Sequence, residues 1–125
     1  MQVLVQPSPS ATPIPGVSHS TWAGRAQGLD DLSIWRQSIA AGGATPPHAH
    51  ACDEVVLCLT GHGEVQSEGR TLRFGPNSTI VLPKNQLHQL WNVGTEPLEL
   101  VGIFAATPVG TFLPDGSTLA LPWES

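Results

Sequence analysis

The stretch Gly42-Gly-Ala-Thr-Pro-Pro-His48-Ala-His50-Ala-Cys-Asp-Glu54-Val-Val-Leu-Cys-Leu-Thr-Gly61 carries most of what this 125-residue chain says about its fold. His48 and His50 are two positions apart, so on a strand both side chains project to one face. Strand rise places their Cα atoms about 6.5–7 Å apart, a span two imidazoles can close onto one ion with bonds of ~2.1 Å. Glu54 lies at even spacing from both, so a regular strand from His48 to Thr60 brings its carboxylate to the same face. Two neutral nitrogens and a carboxylate suit Fe, Mn, Ni, Co, Cu or Zn, and the thiolate-rich set of a structural zinc site is absent. By itself, a His-x-His pair is more often structural or exposed than metal-binding.

Working outward, short strand-like runs alternate with turn residues. Leu32–Ile39 alternates as a strand and ends at Gly42-Gly43 and Pro46-Pro47. Gly61-His62-Gly63 reads as a tight turn, and Glu64–Ser67 and Arg70–Phe74 form a hairpin around Glu68-Gly69. Gly75-Pro76-Asn77 breaks the chain before Thr79–Leu82. Pro83–Gln86 turns into His88–Val93, and Leu98–Ala105 is the last long strand. No segment of ten residues shows helical periodicity. Gly (13) and Pro (12) together make about a fifth of the chain and follow no repeat, which marks turns between many short strands in a sandwich or barrel. Residues 29–125 read as one barrel domain and residues 1–28 as an extended arm. Its Met1–Val5 segment is either loose or adds an edge strand to a partner subunit.

A second cluster, Asn77-Ser-Thr-Ile-Val-Leu-Pro83-Lys-Asn85-Gln-Leu-His88-Gln-Leu-Trp-Asn92, changes the weight of the first. Together the two resemble the motifs of the cupin superfamily. The first motif is met by Gly42, His48, His50, Glu54 and Gly61. The second is met by Pro83, His88 and Asn92, with Asn77 and Asn85 where the family pattern has Gly. Asn is the non-Gly residue best able to hold a left-handed turn, so both departures are read as harmless. The resemblance implies an all-β, cupin-type double-stranded β-helix (a jelly-roll barrel). It implies one divalent transition metal per chain, held by His48, His50, Glu54 and His88. Four protein ligands on a six-coordinate ion leave room for substrate, ligand or dioxygen; a purely structural ion is the alternative.

Composition excludes other classes. The net charge is −5, and the basic residues are limited to Arg25, Arg36, Arg70, Arg73 and Lys84 without a stripe, so no nucleic-acid or membrane partner is expected. No apolar run approaches the ~20 residues that span a bilayer, and no secretory leader is legible before Pro7, which points to the cytoplasm. Cys52 and Cys58 on one extended strand would lie about 20 Å apart, beyond the ~7 Å a disulfide allows; two free thiols fit a reducing compartment. Val55–Leu59 is apolar on both faces, so its outer face needs a second sheet or a second subunit, and a homodimer is expected.

Extending the inward phase places Val56, Cys58, Leu90, Asn92, Leu98, Leu100, Gly102 and Phe104 inside and Gln89, Trp91 and Glu99 outside. Such a lining suits a small, largely uncharged or aromatic molecule. The face on which Arg36 lies stays open, as does the placing of Cys52 and Cys58 near the pocket. His19 and His62 read as incidental, and Trp22, Trp35, Trp91 and Trp123 as packing or interface residues, one of which could stack a ring at the barrel mouth. Three functions follow. The first is a dioxygenase-type oxidoreductase with Glu54 as ligand and general base, a choice of redox chemistry resting on the resemblance alone. The second is a non-redox isomerase, decarboxylase or lyase, and the third a non-catalytic module that binds metal and a small ligand.

Overall fold

The computed structural model describes all residues, 1–125. Nine strands run in chain order: β1 (Ser10–Ala11), β2 (Val17–Ala23), β3 (Ser33–Ile39), β4 (Glu54–Thr60), β5 (Gly63–Ser67), β6 (Arg70–Phe74), β7 (Thr79–Leu82), β8 (His88–Asn92) and β9 (Leu98–Phe104). They form a six-stranded sheet, β1-β2-β3-β9-β4-β7, facing a three-stranded sheet, β6-β5-β8. Every pairing is antiparallel. Between the sheets lies a core that includes Trp35, Ile39, Val56, Leu82, Leu90, Leu98, Leu100 and Phe104. This is the jelly-roll barrel of cupins, with two sheets closing over one apolar interior.

Turn chemistry explains several junctions. Asn77 and Asn85 both adopt φ 65, the left-handed conformation that their replacement of Gly requires. Glu68 (φ 50) and Gly69 (φ 73) are both left-handed, which matches the right-handed twist of the β5–β6 hairpin.

Two features differ from the sequence reading. The span expected as an arm, residues 1–28, contains β1 and β2, and β2 pairs with β3 from Val17↔Ile39 to Ala23↔Ile34. Val17-Ser-His-Ser-Thr-Trp-Ala23 has only one aliphatic residue of core size, so its alternation is faint in sequence; its inward positions include Val17 and His19. The expected continuous strand from His48 to Thr60 is also broken, by a bend at Ala51-Cys52. His48 exchanges backbone hydrogen bonds with His88 (3.0 and 2.8 Å), and the His50 carbonyl accepts from Asn85 N at 2.7 Å. From Glu54 onward the chain pairs instead with β9 and β7. The bend is where the chain crosses from one sheet to the other.

On the outer face of the larger sheet, register aligns Ile34, Ile103, Val55 and Val81 in one row across four strands. Val81 and Leu59 remain exposed. Arg36 also points outward. Its guanidinium meets Glu99 at 2.6 Å and donates to the carbonyls of Gln37 and Leu100.

Candidate metal centre and ligand cavity

The crossover brings together residues that one regular strand would not. His48 and His50 sit beside β8, which contributes His88, while Glu54 opens β4 in the opposite sheet. One nitrogen from each of the three histidines falls within 4.8 Å of the others. His50, Glu54 and His88 are buried and His48 keeps some exposure. Phe104, in register with Glu54, packs edge-on against the His50 ring with centroids 4.6 Å apart.

Hydrogen bonding sets the tautomers. Nδ1 of His48 lies 2.6 Å from the Pro46 carbonyl, that of His50 2.8 Å from Gly110 O, and that of His88 3.0 Å from Gln86 O. A carbonyl can only accept, so each Nδ1 carries a proton, and in the neutral ring each Nε2 presents a lone pair. Backbone partners of this kind orient metal-binding imidazoles and raise their basicity. Glu54 Oε2 lies 3.2 Å from His88 Nε2 and 3.7 Å from His50 Nε2, and it is buried with no hydrogen-bond donor. A carboxylate oxygen facing two lone pairs in a desolvated site is repulsive unless a cation stands among them. The donor set, three imidazoles and one carboxylate, therefore fits a divalent transition metal.

Charge state agrees with that fit. Burial and the neighbouring His88 depress the His48 pKa to about 4, and burial lowers that of His50. Burial likewise takes His19 to about 4. These rings are neutral at pH 7, and the unfolded chain binds more protons than the folded one between about pH 4 and 6.5. Acidification through that window must therefore destabilise the fold. Melting curves of the metal-free chain should show the midpoint falling by several degrees between pH 7 and 4.5. A flat profile there would mean that these imidazoles are not held neutral.

Beside the cluster is a cavity of about 280 Å³, at the small end of ligand pockets. Its lining includes the three histidines, Glu54, Trp35, Leu90, Phe104 and Trp123. No Lys or Arg is among the lining residues. Of the residues that strand phase turns inward, Leu90 and Phe104 reach the cavity; Val56, Cys58, Leu98 and Leu100 are buried in the core beyond it. Both cysteines are free and outside the lining, and burial raises the pKa of each. His62 is exposed, as its turn position implies.

Three contributions were not legible in the sequence. His19, read as incidental, is buried in the cavity wall and stacks on Trp123 with ring centroids 4.2 Å apart. Gln37, its cross-strand neighbour on β3, also lines the cavity. The C-terminal segment supplies Leu119, Leu121, Trp123 and Ser125 to the same wall. The period-two spacing of Val17, His19 and Thr21 was the one available signal, and no local pattern connects it to a tail a hundred residues later.

Comparison with known proteins sharpens the assignment. Among solved structures, the polyketide cyclase RemF of Streptomyces resistomycificus superposes with TM-score 0.72 at 17% identity, over 98% of this chain and 82% of that one. A Cupin 2 conserved barrel domain protein of Salinispora arenicola gives 0.70 at 17%, over 83% and 89%. Oxalate oxidase gives 0.71 at 24%, over 79% and 56%. At these identities the likeness establishes the cupin fold alone. In sequence, the chain is 37% identical over 109 residues to auxin-binding protein 1 of Arabidopsis thaliana, covering 79% of this chain and 55% of that protein. It is 33% identical over 112 residues to an auxin-binding protein of Nicotiana tabacum, covering 80% and 60%. The chain thus spans little more than half the length of these relatives. The family model described as auxin binding protein matches residues 4–122, which include both histidine motifs and most of the C-terminal cavity wall up to Pro122, and on that match the chain belongs to the auxin-binding protein family.

Proposed function

We propose that this chain binds a small aromatic carboxylic acid of the auxin type, and that it does so as a metal-dependent binding module without turnover. The observation that carries the reading is the make-up of the cavity. It is walled by aromatic and aliphatic side chains beside a cluster fit for a metal, yet no Lys or Arg lines it. An auxin joins an aromatic ring to a carboxylate, and that charge needs a counter-ion when it leaves water. His48, His50, Glu54 and His88 would hold the metal, which when bound supplies a Lewis acid for an anionic oxygen. The chain's own residues do the rest. Trp35, Phe104 and Trp123 offer ring faces for stacking.

Family membership supports this third sequence reading over the dioxygenase one. Only Glu54 and the histidines offer a base in the cavity, and as metal ligands they would be spent on the ion. Titration calorimetry with indole-3-acetic acid tests the reading. Zinc-loaded protein should bind it, stripping the metal should weaken binding at least about tenfold, and an oxygen electrode should register no consumption. Equal binding without metal would sink the proposal. Oxygen uptake dependent on the acid would restore the oxidoreductase reading.

A further inference from the structure

A chain of polar groups runs through the cavity wall to the C-terminal segment, and its direction can be read. The Thr21 hydroxyl lies 2.8 Å from the carbonyl oxygen of Glu124. A carbonyl cannot donate, so Thr21 spends its one proton there, and its oxygen can only accept from His19 Nε2 at 3.1 Å. His19 therefore carries its proton on Nε2 and presents a lone pair at Nδ1, where the Gln37 amide nitrogen donates across 3.2 Å. The bonds run one way, from Gln37 to His19 to Thr21 to Glu124. This tautomer is the opposite of the one imposed on His48, His50 and His88.

We propose that His19 is a positioning residue of the cavity: locked in this tautomer by Thr21 and the Glu124 carbonyl, it orients the Gln37 amide and backs the Trp123 indole. The wall is then complete only while the C-terminal segment is docked. Several observations converge on it. His19 and Gln37 are directly opposed across β2 and β3. The His19 and Trp123 rings stack with planes 20° apart. Beyond Glu124, the Ser125 backbone oxygen accepts from Val109 N at 2.9 Å and Thr107 Oγ1 at 3.1 Å, and ahead of Trp123 the Leu119 N–H donates to Thr111 O at 2.8 Å, so the segment is tied on both sides of the ring it presents. Burial keeps His19 uncharged at neutral pH, so the single-proton arrangement persists there.

The ligand arm of the test rests on the function proposed above; the structural arm does not. In the zinc-loaded 125-residue chain with ¹⁵N-labelled histidine, His19 should be protonated on Nε2 while His48, His50 and His88 are protonated on Nδ1. A His19 protonated on Nδ1 overturns the assignment. Thr21→Val removes the acceptor, and His19 should lose its fixed tautomer. Exchange of the Val109 amide should speed up, and indole-3-acetic acid affinity should fall about tenfold. Thr21→Ser keeps the hydroxyl and should restore all three. Unchanged affinity and unchanged Val109 exchange in Thr21→Val would reduce His19 to packing. If the unmodified protein does not bind the acid, the function above fails, and Val109 exchange alone decides the positioning role.

Discussion

Replacing His88 or His50 with alanine is expected to abolish stoichiometric metal, with affinity lowered by more than about a hundredfold. Loss of an outer-shell partner already costs 10–100-fold, and these are the residues that would touch the ion. The barrel should survive, since a chain of this size buries enough surface without metal and the main core cluster contains none of the four. Elemental analysis of purified variants, with a competing chelator, reads the first effect; circular dichroism reads the second. Full occupancy in both variants would remove the site. Glu54→Gln separates metal binding from folding more sharply. Metal affinity should again fall, but the metal-free variant should melt a few degrees higher than the metal-free parent. The substitution removes a buried carboxylate whose Oε2 has no donor and faces imidazole lone pairs. A lower melting point would mean that this oxygen is already satisfied without a cation.

Gly102→Ala is expected to be the most damaging single-methyl change in the protein. Gly102 sits on β9 opposite Trp35 of β3, and the indole lies flat over it. A Cβ at this position would stand 1.9 Å from Trp35 Cε2 and Cζ2, far inside van der Waals contact. Trp35 is 3% exposed and has the Phe104 ring beside it, centroids 6.1 Å apart, so the indole can yield only toward the cavity it lines. Overpacking of this kind costs about 3 kcal/mol, which for a domain of this length lowers the melting midpoint by roughly 10 °C. Because Trp35 and Phe104 both line the cavity, ligand affinity should fall as well. Calorimetric melting of the variant checks this, and a loss under about 2 °C would mean that the indole does not rest on the backbone there.

Spacing, read together with the motif resemblance, was enough for what depends on local geometry. His48, His50, Glu54 and His88 were singled out by their match to the cupin motifs, and the structure gathers the three histidines into one cluster with Glu54 beside two of them. Asn77 and Asn85 were legible because few residues tolerate a left-handed turn, and both have it. The inward phase of β4, β8 and β9 followed from period-two alternation, and their burial patterns keep it.

Tertiary structure decided everything that depends on which distant segments meet. The path from His50 to Glu54 looked like one strand because alternation is blind to a change of sheet; the bend shows only when β8 and β9 claim the two halves as partners. Arg36 could face either way until Glu99, sixty-three positions on, took its charge on the outside. β2 was hidden because His19, Ser18, Ser20 and Thr21 carry little hydrophobic signal, and its burial comes from pairing with β3. Most of all, the cavity needed the C-terminal segment. Trp123 means nothing in its own neighbourhood of Pro122 and Glu124. It becomes part of the wall because His19 stacks on it and Thr21 bonds the next carbonyl, contacts that no interval in the sequence encodes. The sequence by itself determined the barrel and marked the histidines that cluster in it, since both follow from short motifs at fixed spacing. The shape of the cavity was decided only when segments a hundred residues apart closed over it.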